Sequence, residues 1–179
     1  GYTYLGDFFR GDLTDTATII GADGSIYVGQ LRGGKLNGKG TFITSNYVYV
    51  GQFVDGRKNG FGVMRCADGH TYAGEIKDGE SDGQGCSWHT NGDIACGTFI
   101  TNNLNGKASY IYSQSGTFHR YDGEFKDGAR NGQGTFIWRN GHTYTGNYSN
   151  NMRNGFGRLD YRNGTLQEGQ WKDDKFLGP

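Results

Sequence analysis

Cysteine and histidine are the side chains in this chain whose types could ligate a metal or act as nucleophile and base. The histidines, His70, His89, His119 and His142, fall at turns or strand ends, three of them beside Gly or Thr, which reads as a set of solvent-exposed turn positions. No serine or cysteine stands in a nucleophile-elbow context. The carboxylates recur along the chain instead of meeting once, so no catalytic set assembles and the chain reads as non-enzymatic, with no required cofactor. Metal is the closer contest. If Cys86 and Cys96 lie opposite each other on a strand pair, their Cβ atoms stand about 5 Å apart, near enough to share a zinc at about 2.3 Å per sulfur. His89 and Asp93 then face each other at the hairpin end, on the other face. A zinc site built from Cys86, Cys96, His89 and Asp93 therefore needs a local bulge or ligands from a second chain. Two free thiols are the competing reading. The cysteines number three with Cys66, an odd count without dense disulfide spacing, which suits a reducing, cytoplasmic compartment.

Charge gives the next constraint. Eighteen Lys and Arg balance 18 Asp and Glu, so no global field draws in nucleic acid or an acidic membrane, and nucleic acid is not expected as a partner. Lys35, Arg57, Lys58, Arg130, Arg153 and Lys175 read as loop residues that repetition would line along one edge, a lipid or partner edge suited to phosphoinositides. Asp55, Asp78, Asp127 and Asp173 share those loops, so binding of that kind would be weak and screened by salt. No apolar run approaches the length of a membrane span.

What positions these residues is a repeat. A Tyr-x-Gly-x-aromatic phrase starts at Tyr4, Tyr27, Tyr49, Tyr72, Ala95, Tyr121, Tyr144 and Gln167, at spacings of 23, 22, 23, 23, 26, 23 and 23 residues. A polar loop and a second phrase, Asn-Gly-x-Gly-x-apolar, follow, as in Asn37 to Phe42 and Asn131 to Phe136. Period-two alternation through Tyr121-Asp122-Gly123-Glu124-Phe125 marks a strand with one wet face. Each unit is then a β-hairpin. Asp23-Gly24, Asp68-Gly69, Asn91-Gly92, Asn140-Gly141 and Asn163-Gly164 supply the turns between hairpins, as three-residue connections ending on a left-handed glycine.

A hydrophobic fraction of 34% with 34 glycines argues against a compact two-layer core. The expected fold is all-β: an elongated, single-layer, twisted antiparallel meander over 1–179, of about eight hairpins with the last incomplete. At about 4.8 Å per strand, fifteen or so strands make a rod of roughly 70 Å. Tyr49, Phe53, Tyr72, Phe99, Tyr121, Phe125, Phe136, Tyr144 and Tyr148 are expected to pack on one another in the groove of the coiled sheet, with the glycines giving the rings room. The fifth hairpin, with Ala95 for tyrosine, Ala108 for glycine and a longer connection around Ser113 to Gly116, predicts a break in that packing.

The unit Tyr-x-Gly-x-Phe-x-x-Gly-x-x-Asn-Gly-x-Gly, as in Tyr49 to Gly62 and Tyr121 to Gly134, resembles the MORN repeat (membrane occupation and recognition nexus). The likeness spans essentially the whole chain, with departures in the first, fifth and last units. It implies twisted hairpin repeats and a scaffolding role, and an all-repeat array is most similar to the cytoskeletal scaffolds of unicellular parasites. The implied partners are cytoskeletal or membrane-skeleton proteins, and the implied location is cytoplasmic and cytoskeleton-associated. The chain starts at Gly1 without methionine or a visible signal peptide, which reads as a fragment of a longer array. The last unit supplies a first strand and ends at Pro179 with no second strand. A two-fold homodimer is therefore expected through that edge, using Leu166, Trp171, Phe176 and Leu177.

Overall fold

The computed structural model describes residues 1–9 and 12–179, and side chains outside 7–15. The aromatic position of the first repeat phrase, Phe8, has its side chain outside that description. Two compact units divide the chain, Gly1–Thr90 and Asn91–Pro179. The first is a meander of β1 (Tyr2–Phe9), β2 (Asp12–Gly21), β3 (Ile26–Arg32), β4 (Lys35–Ile43), β5 (Tyr47–Val54), β6 (Arg57–Cys66), β7 (Thr71–Lys77) and β8 (Glu80–Trp88). The second repeats the plan with β9 (Ile94–Ile100), β10 (Asn103–Ile111), β11 (Phe118–Lys126), β12 (Ala129–Trp138), β13 (Thr143–Ser149), β14 (Met152–Asp160), β15 (Leu166–Lys172) and β16 (Lys175–Gly178). Within each unit every strand pairs antiparallel with its sequence neighbour. The described residues contain no helix.

The connection inside each hairpin is tighter than the polar loop expected from sequence. In the hairpins whose connection is described it is two residues long, both with positive φ, as at Asp55 48° and Gly56 86°, Asp127 50° and Gly128 78°, and Asn150 47° and Asn151 70°. This is the type I′ geometry, whose twist matches that of the flanking strands and which favours Asn, Asp and Gly. The correction moves the basic residues. Lys35, Arg57, Lys58, Arg130, Arg153 and Lys175 all lie in the second strands of their hairpins, not in loops. The second turn residue also reaches back one hairpin: the amides of Gly56, Gly79, Gly128, Asn151 and Asp174 donate to the carbonyls of Leu36, Lys58, Leu104, Arg130 and Arg153.

At one turn the residues fit this geometry poorly. Thr101 holds φ 47° and Asn102 φ 65°, and a β-branched side chain is strained there. Replacing the pair with Asp-Gly, as at Asp55-Gly56, should raise stability by about 1 kcal/mol. A urea midpoint that falls or stays put would show the turn is not under strain.

The Asn-Gly-x-Gly phrase is a β-bulge. Gly51 pairs with Gly62 and Phe53 with Lys58, so three residues of β6 oppose one of β5. Gly60 takes φ 78° at this kink. Gln52 clamps it from both sides: its carbonyl accepts the Tyr49 hydroxyl at 3.0 Å, and its side-chain oxygen accepts the Phe61 amide at 2.9 Å. The same phenol-to-carbonyl bond recurs from Tyr27 to Gln30, Tyr72 to Glu75, Tyr121 to Glu124 and Tyr144 to Asn147. Each tyrosine thereby lies across a cross-strand glycine pair. A Cβ on Gly51 or Gly62 would run into the Tyr49 ring, and one on Gly123 or Gly134 into that of Tyr121.

Hairpins lock together through edge-to-face rings, the preferred geometry of aromatic pairs. Phe53 stands 5.2 Å from Tyr49 of its own hairpin and 5.2 Å from Tyr27 of the one before, at 83° and 87°. Tyr148 sits likewise between Tyr144 and Tyr121. Tyr49, Phe53, Tyr72, Phe99, Tyr121, Phe125, Phe136, Tyr144 and Tyr148 are all buried. Burial pushes the Tyr27 and Tyr144 phenols up to about 12 from the ordinary 10.0. A group whose folded pKa is raised contributes stability that is complete below its unfolded pKa and is lost as pH climbs through the folded one. Stability should therefore be level up to about pH 10 and fall between pH 10 and 12, which fluorescence-monitored urea unfolding across that range would check. A flat profile to pH 12 would contradict the burial of these hydroxyls.

The fifth hairpin repacks where a break was expected. Ala95 has no ring to lay over Gly97, and Ala108 occupies the partner position that is glycine in the hairpins of Tyr27, Tyr49, Tyr72, Tyr121 and Tyr144. Ala95 faces Tyr110, whose hydroxyl donates to Asp93 at 2.9 Å. The longer connection is pinned by Arg139, whose guanidinium donates to the carbonyls of Tyr112, Ser113 and Gly116 and to Gln114.

Candidate ligand groove

Strand parity through the bulge puts the residue before Asn-Gly on the inner, aromatic face. Phe53 opposes Lys58, Phe125 opposes Arg130, and Tyr148 opposes Arg153. These three cations consequently fold over rings. Lys58 Nζ lies 4.3 Å from the Tyr47 ring centre. Arg130 lies 5.7, 5.1 and 5.4 Å from those of Tyr121, Phe136 and Tyr148. Arg153 lies 4.3 Å from that of Trp171 and 5.5 Å from that of Tyr144. Such contacts contribute about 0.5 to 2 kcal/mol each, depending on desolvation. Of the other basic residues, Arg57 pairs with Asp78 at 3.3 Å, while Lys35 and Lys175 are exposed.

In the second unit the inner face opens into a cavity of about 260 Å³ walled by Phe118, Phe136, Trp138 and Tyr148, with Arg130, Arg153, Asn151 and Asp174 around it. Phe118 is 46% exposed although it packs edge-to-face on Phe136 at 5.3 Å. Tyr112 and Trp138 extend the ring cluster at 5.6 and 4.7 Å from Phe136. Burial holds the Tyr148 phenol well above its ordinary range, against the opposing pull of Arg130 and Arg153. Sequence reasoning named neither Phe118, Trp138 nor Tyr112. Their signal was the alternation Tyr110-Ile111-Tyr112 and Phe136-Ile137-Trp138, which continues the inner face beyond the repeat phrase.

The residues assigned to zinc engage the following neighbours. Cys86 pairs in register with Ala73 and Cys96 with Ser109. Both cysteines are disulfide-bonded, which corrects the free-thiol reading and leaves Cys66 as the free cysteine among the described residues. His89 stacks on His70 at 5.2 Å. Asp93 is 8% exposed and accepts from the Tyr110 hydroxyl, the Ser113 amide and the Asn91 side chain. Among the described residues no group of three or more His, Cys, Asp or Glu is arranged to hold a metal.

The last hairpin also differs from expectation. β16 supplies the second strand thought to be missing, pairing Trp171 with Phe176 and Lys172 with Lys175. Asp173 at φ 47° and Asp174 at φ 66° make its turn. Trp171 is 3% exposed, and its indole N–H donates to the Gly157 carbonyl at 3.0 Å. Phe176 packs on it at 5.2 Å. Of the four residues assigned to a dimer interface, Leu166 and Leu177 are therefore the exposed ones, at 49% and 65%.

The hairpin with its tyrosine over a glycine pair coincides with a known sequence family. The MORN repeat model matches residues 27–47, 49–71, 72–94, 121–143, 144–166 and 168–179. The chain belongs to the MORN-repeat family. The matched segments leave out the first and fifth hairpins, β1–β2 and β9–β10, whose described strands also pair antiparallel. No curated protein sequence matches this MORN chain. Among solved structures it is similar to the TCP10c domain of Drosophila melanogaster Sas-4, at 11% identity and TM-score 0.50, over 96% of this chain and 100% of that one. It is also similar to the Drosophila melanogaster SAS-4 (dCPAP) TCP domain in complex with a proline-rich motif of Ana2 (dSTIL), at 11% identity and TM-score 0.35, over 88% of this chain and 73% of that one. The first of these likenesses is one of fold.

Proposed function

We propose that this MORN array is a non-catalytic scaffold that presents its inner aromatic face to protein partners and associates with itself. The observation that carries the reading is the destination of the basic residues. Lys58, Arg130 and Arg153 turn onto rings of the inner face, so the side chains that a phosphoinositide edge would use are spent on the groove. Lys35 and Lys175 remain for such an edge, and Arg57 is shared with Asp78. Self-association through the last hairpin would use Leu166 and Leu177. A place among cytoskeletal or membrane-skeleton proteins draws on the family resemblance alone. The cytoplasmic reading loses the support of free thiols at Cys86 and Cys96. Zinc binding at Cys86, Cys96, His89 and Asp93 is a proposal for the reduced protein only, tested by its metal content before and after Cys86→Ser with Cys96→Ser.

Vesicle co-sedimentation across a salt series, paired with light scattering, tests the scaffold reading. The expected result is a dimer that Leu177→Lys dissociates, and no binding to phosphoinositide vesicles above physiological salt. Salt-resistant vesicle binding by a monomer would replace this reading with a membrane-binding one.

A further inference from the structure

The second unit holds a positive charge that its own side chains do not neutralise. Arg153 is matched: its Nε meets Asp174 Oδ1 at 3.0 Å, and a second guanidinium nitrogen donates to the Asp174 carbonyl at 2.8 Å. Arg130 is not. Its Nη2 donates to the Asn151 carbonyl at 2.7 Å, and no carboxylate lies within ion-pair distance among the described residues. Asn151 fixes this arginine from below, accepting the Arg130 amide on its side chain at 2.9 Å and donating its own amide to the Arg130 carbonyl. The guanidinium is thus held in one place, on three rings, at the wall of the 260 Å³ cavity. A fixed, partly desolvated guanidinium is a carboxylate or phosphate receptor.

We propose that this cavity binds a carboxylate side chain of an extended acidic peptide, with Arg130 taking the carboxylate and Phe118 and Trp138 taking the apolar or aromatic residues beside it. Charge decides the occupant. Arg130 and Arg153 against Asp174 leave one net positive charge, which complements a single carboxylate; a phosphoinositide headgroup, with several negative charges, would need further cations that the cavity lacks. The contiguous rings Tyr112, Phe118, Phe136 and Trp138 offer a strip on which neighbouring peptide residues lie. The proposal rests on the scaffold reading and specifies its partner chemistry.

The test is fluorescence anisotropy at physiological salt with a labelled octapeptide centred on Phe-Glu-Phe, its Phe-Gln-Phe counterpart, and vesicles containing a phosphoinositide. Glu→Gln in the peptide should weaken binding about tenfold, the scale of one charge-assisted contact. Arg130→Met keeps the stem over the rings and removes the charge. It should weaken the Glu peptide to the level of the Gln peptide and leave the latter unchanged. Equal affinity for both peptides, absence of measurable binding, or independent effects of the two substitutions would overturn the proposal. Should Arg130→Met fail to fold, the peptide comparison on the intact chain decides alone. Arg130-dependent capture of the vesicles with no peptide binding would sink both this proposal and the scaffold reading. Self-association that survives with no peptide preference would sink this proposal alone.

Discussion

Tyr144→Ala should destabilise the second unit by about 3 to 5 kcal/mol, the range for removing a large buried ring. Tyr144 is 0% exposed, stands edge-to-face to Tyr148 at 5.4 Å and Trp171 at 5.3 Å, and carries Arg153 over its other side. Its loss removes support from the hairpins before and after it, because a repeat is stabilised chiefly by its neighbours. Domains have only about 5 to 15 kcal/mol in hand, so the variant would sit near its unfolding threshold. Tyr144→Phe separates the ring from the hydroxyl, whose bond to the Asn147 carbonyl at 3.3 Å should contribute about 1 kcal/mol. Urea unfolding followed by tryptophan fluorescence checks both; a loss under about 0.5 kcal/mol for Tyr144→Ala, the scale of a surface change, would show that the face assignment is wrong.

Gly157→Ala is the second large expectation, and its sign depends on Tyr144. The glycine does not need its conformational freedom, since its φ is not among the positive values. A Cβ there would overlap the Tyr144 ring and hydroxyl, so the cost should be that of overpacking, about 1 to 3 kcal/mol. In the Tyr144→Ala background the obstruction is gone. Gly157→Ala should then be neutral or stabilising by about 0.5 kcal/mol, because alanine suits a strand better than glycine. The fifth hairpin already carries this double replacement, as Ala95 and Ala108. A double-mutant cycle with coupling below about 0.5 kcal/mol, the additive limit for independent sites, would mean that ring and glycine do not share the space the structure gives them.

Much of the fold was legible because the repeat states it many times. Tyr121 and Phe125, two strand positions apart on each side of Gly123, give the face, and Asn140-Gly141 gives the turn between hairpins. Gly141 takes φ 87° as the left-handed glycine of that turn. What escaped lies where period two is interrupted. Each second strand begins ahead of its bulge, at Arg57 and Ala129, and the two extra residues of the bulge keep the parity, so Lys58 and Arg130, counted as loop residues on a solvated edge, lie in strands opposite Phe53 and Phe125 on the inner face. The turn Asp173-Asp174 was missed because it has no glycine, although Asp accepts positive φ more readily than most residues, and with it went β16. The ligand cavity escaped for a related reason. Phe118 and Trp138 belong to strand extensions beyond the repeat phrase, so repetition could not point to them. The disulfide-bonded state of Cys86 and Cys96 has no signal in an odd cysteine count.

The proposed scaffold role makes the inner face of the MORN meander a binding surface for proteins. Site-specific photocrosslinking tests it most directly, with a benzophenone side chain placed in turn at Phe118 in the cavity, at Val50 on the exposed outer face and at Lys175 on the basic edge, in native cell extract containing membranes. Protein adducts from position 118, absent or much weaker from positions 50 and 175, are the predicted result. Adducts confined to position 175, and to lipid, would contradict it.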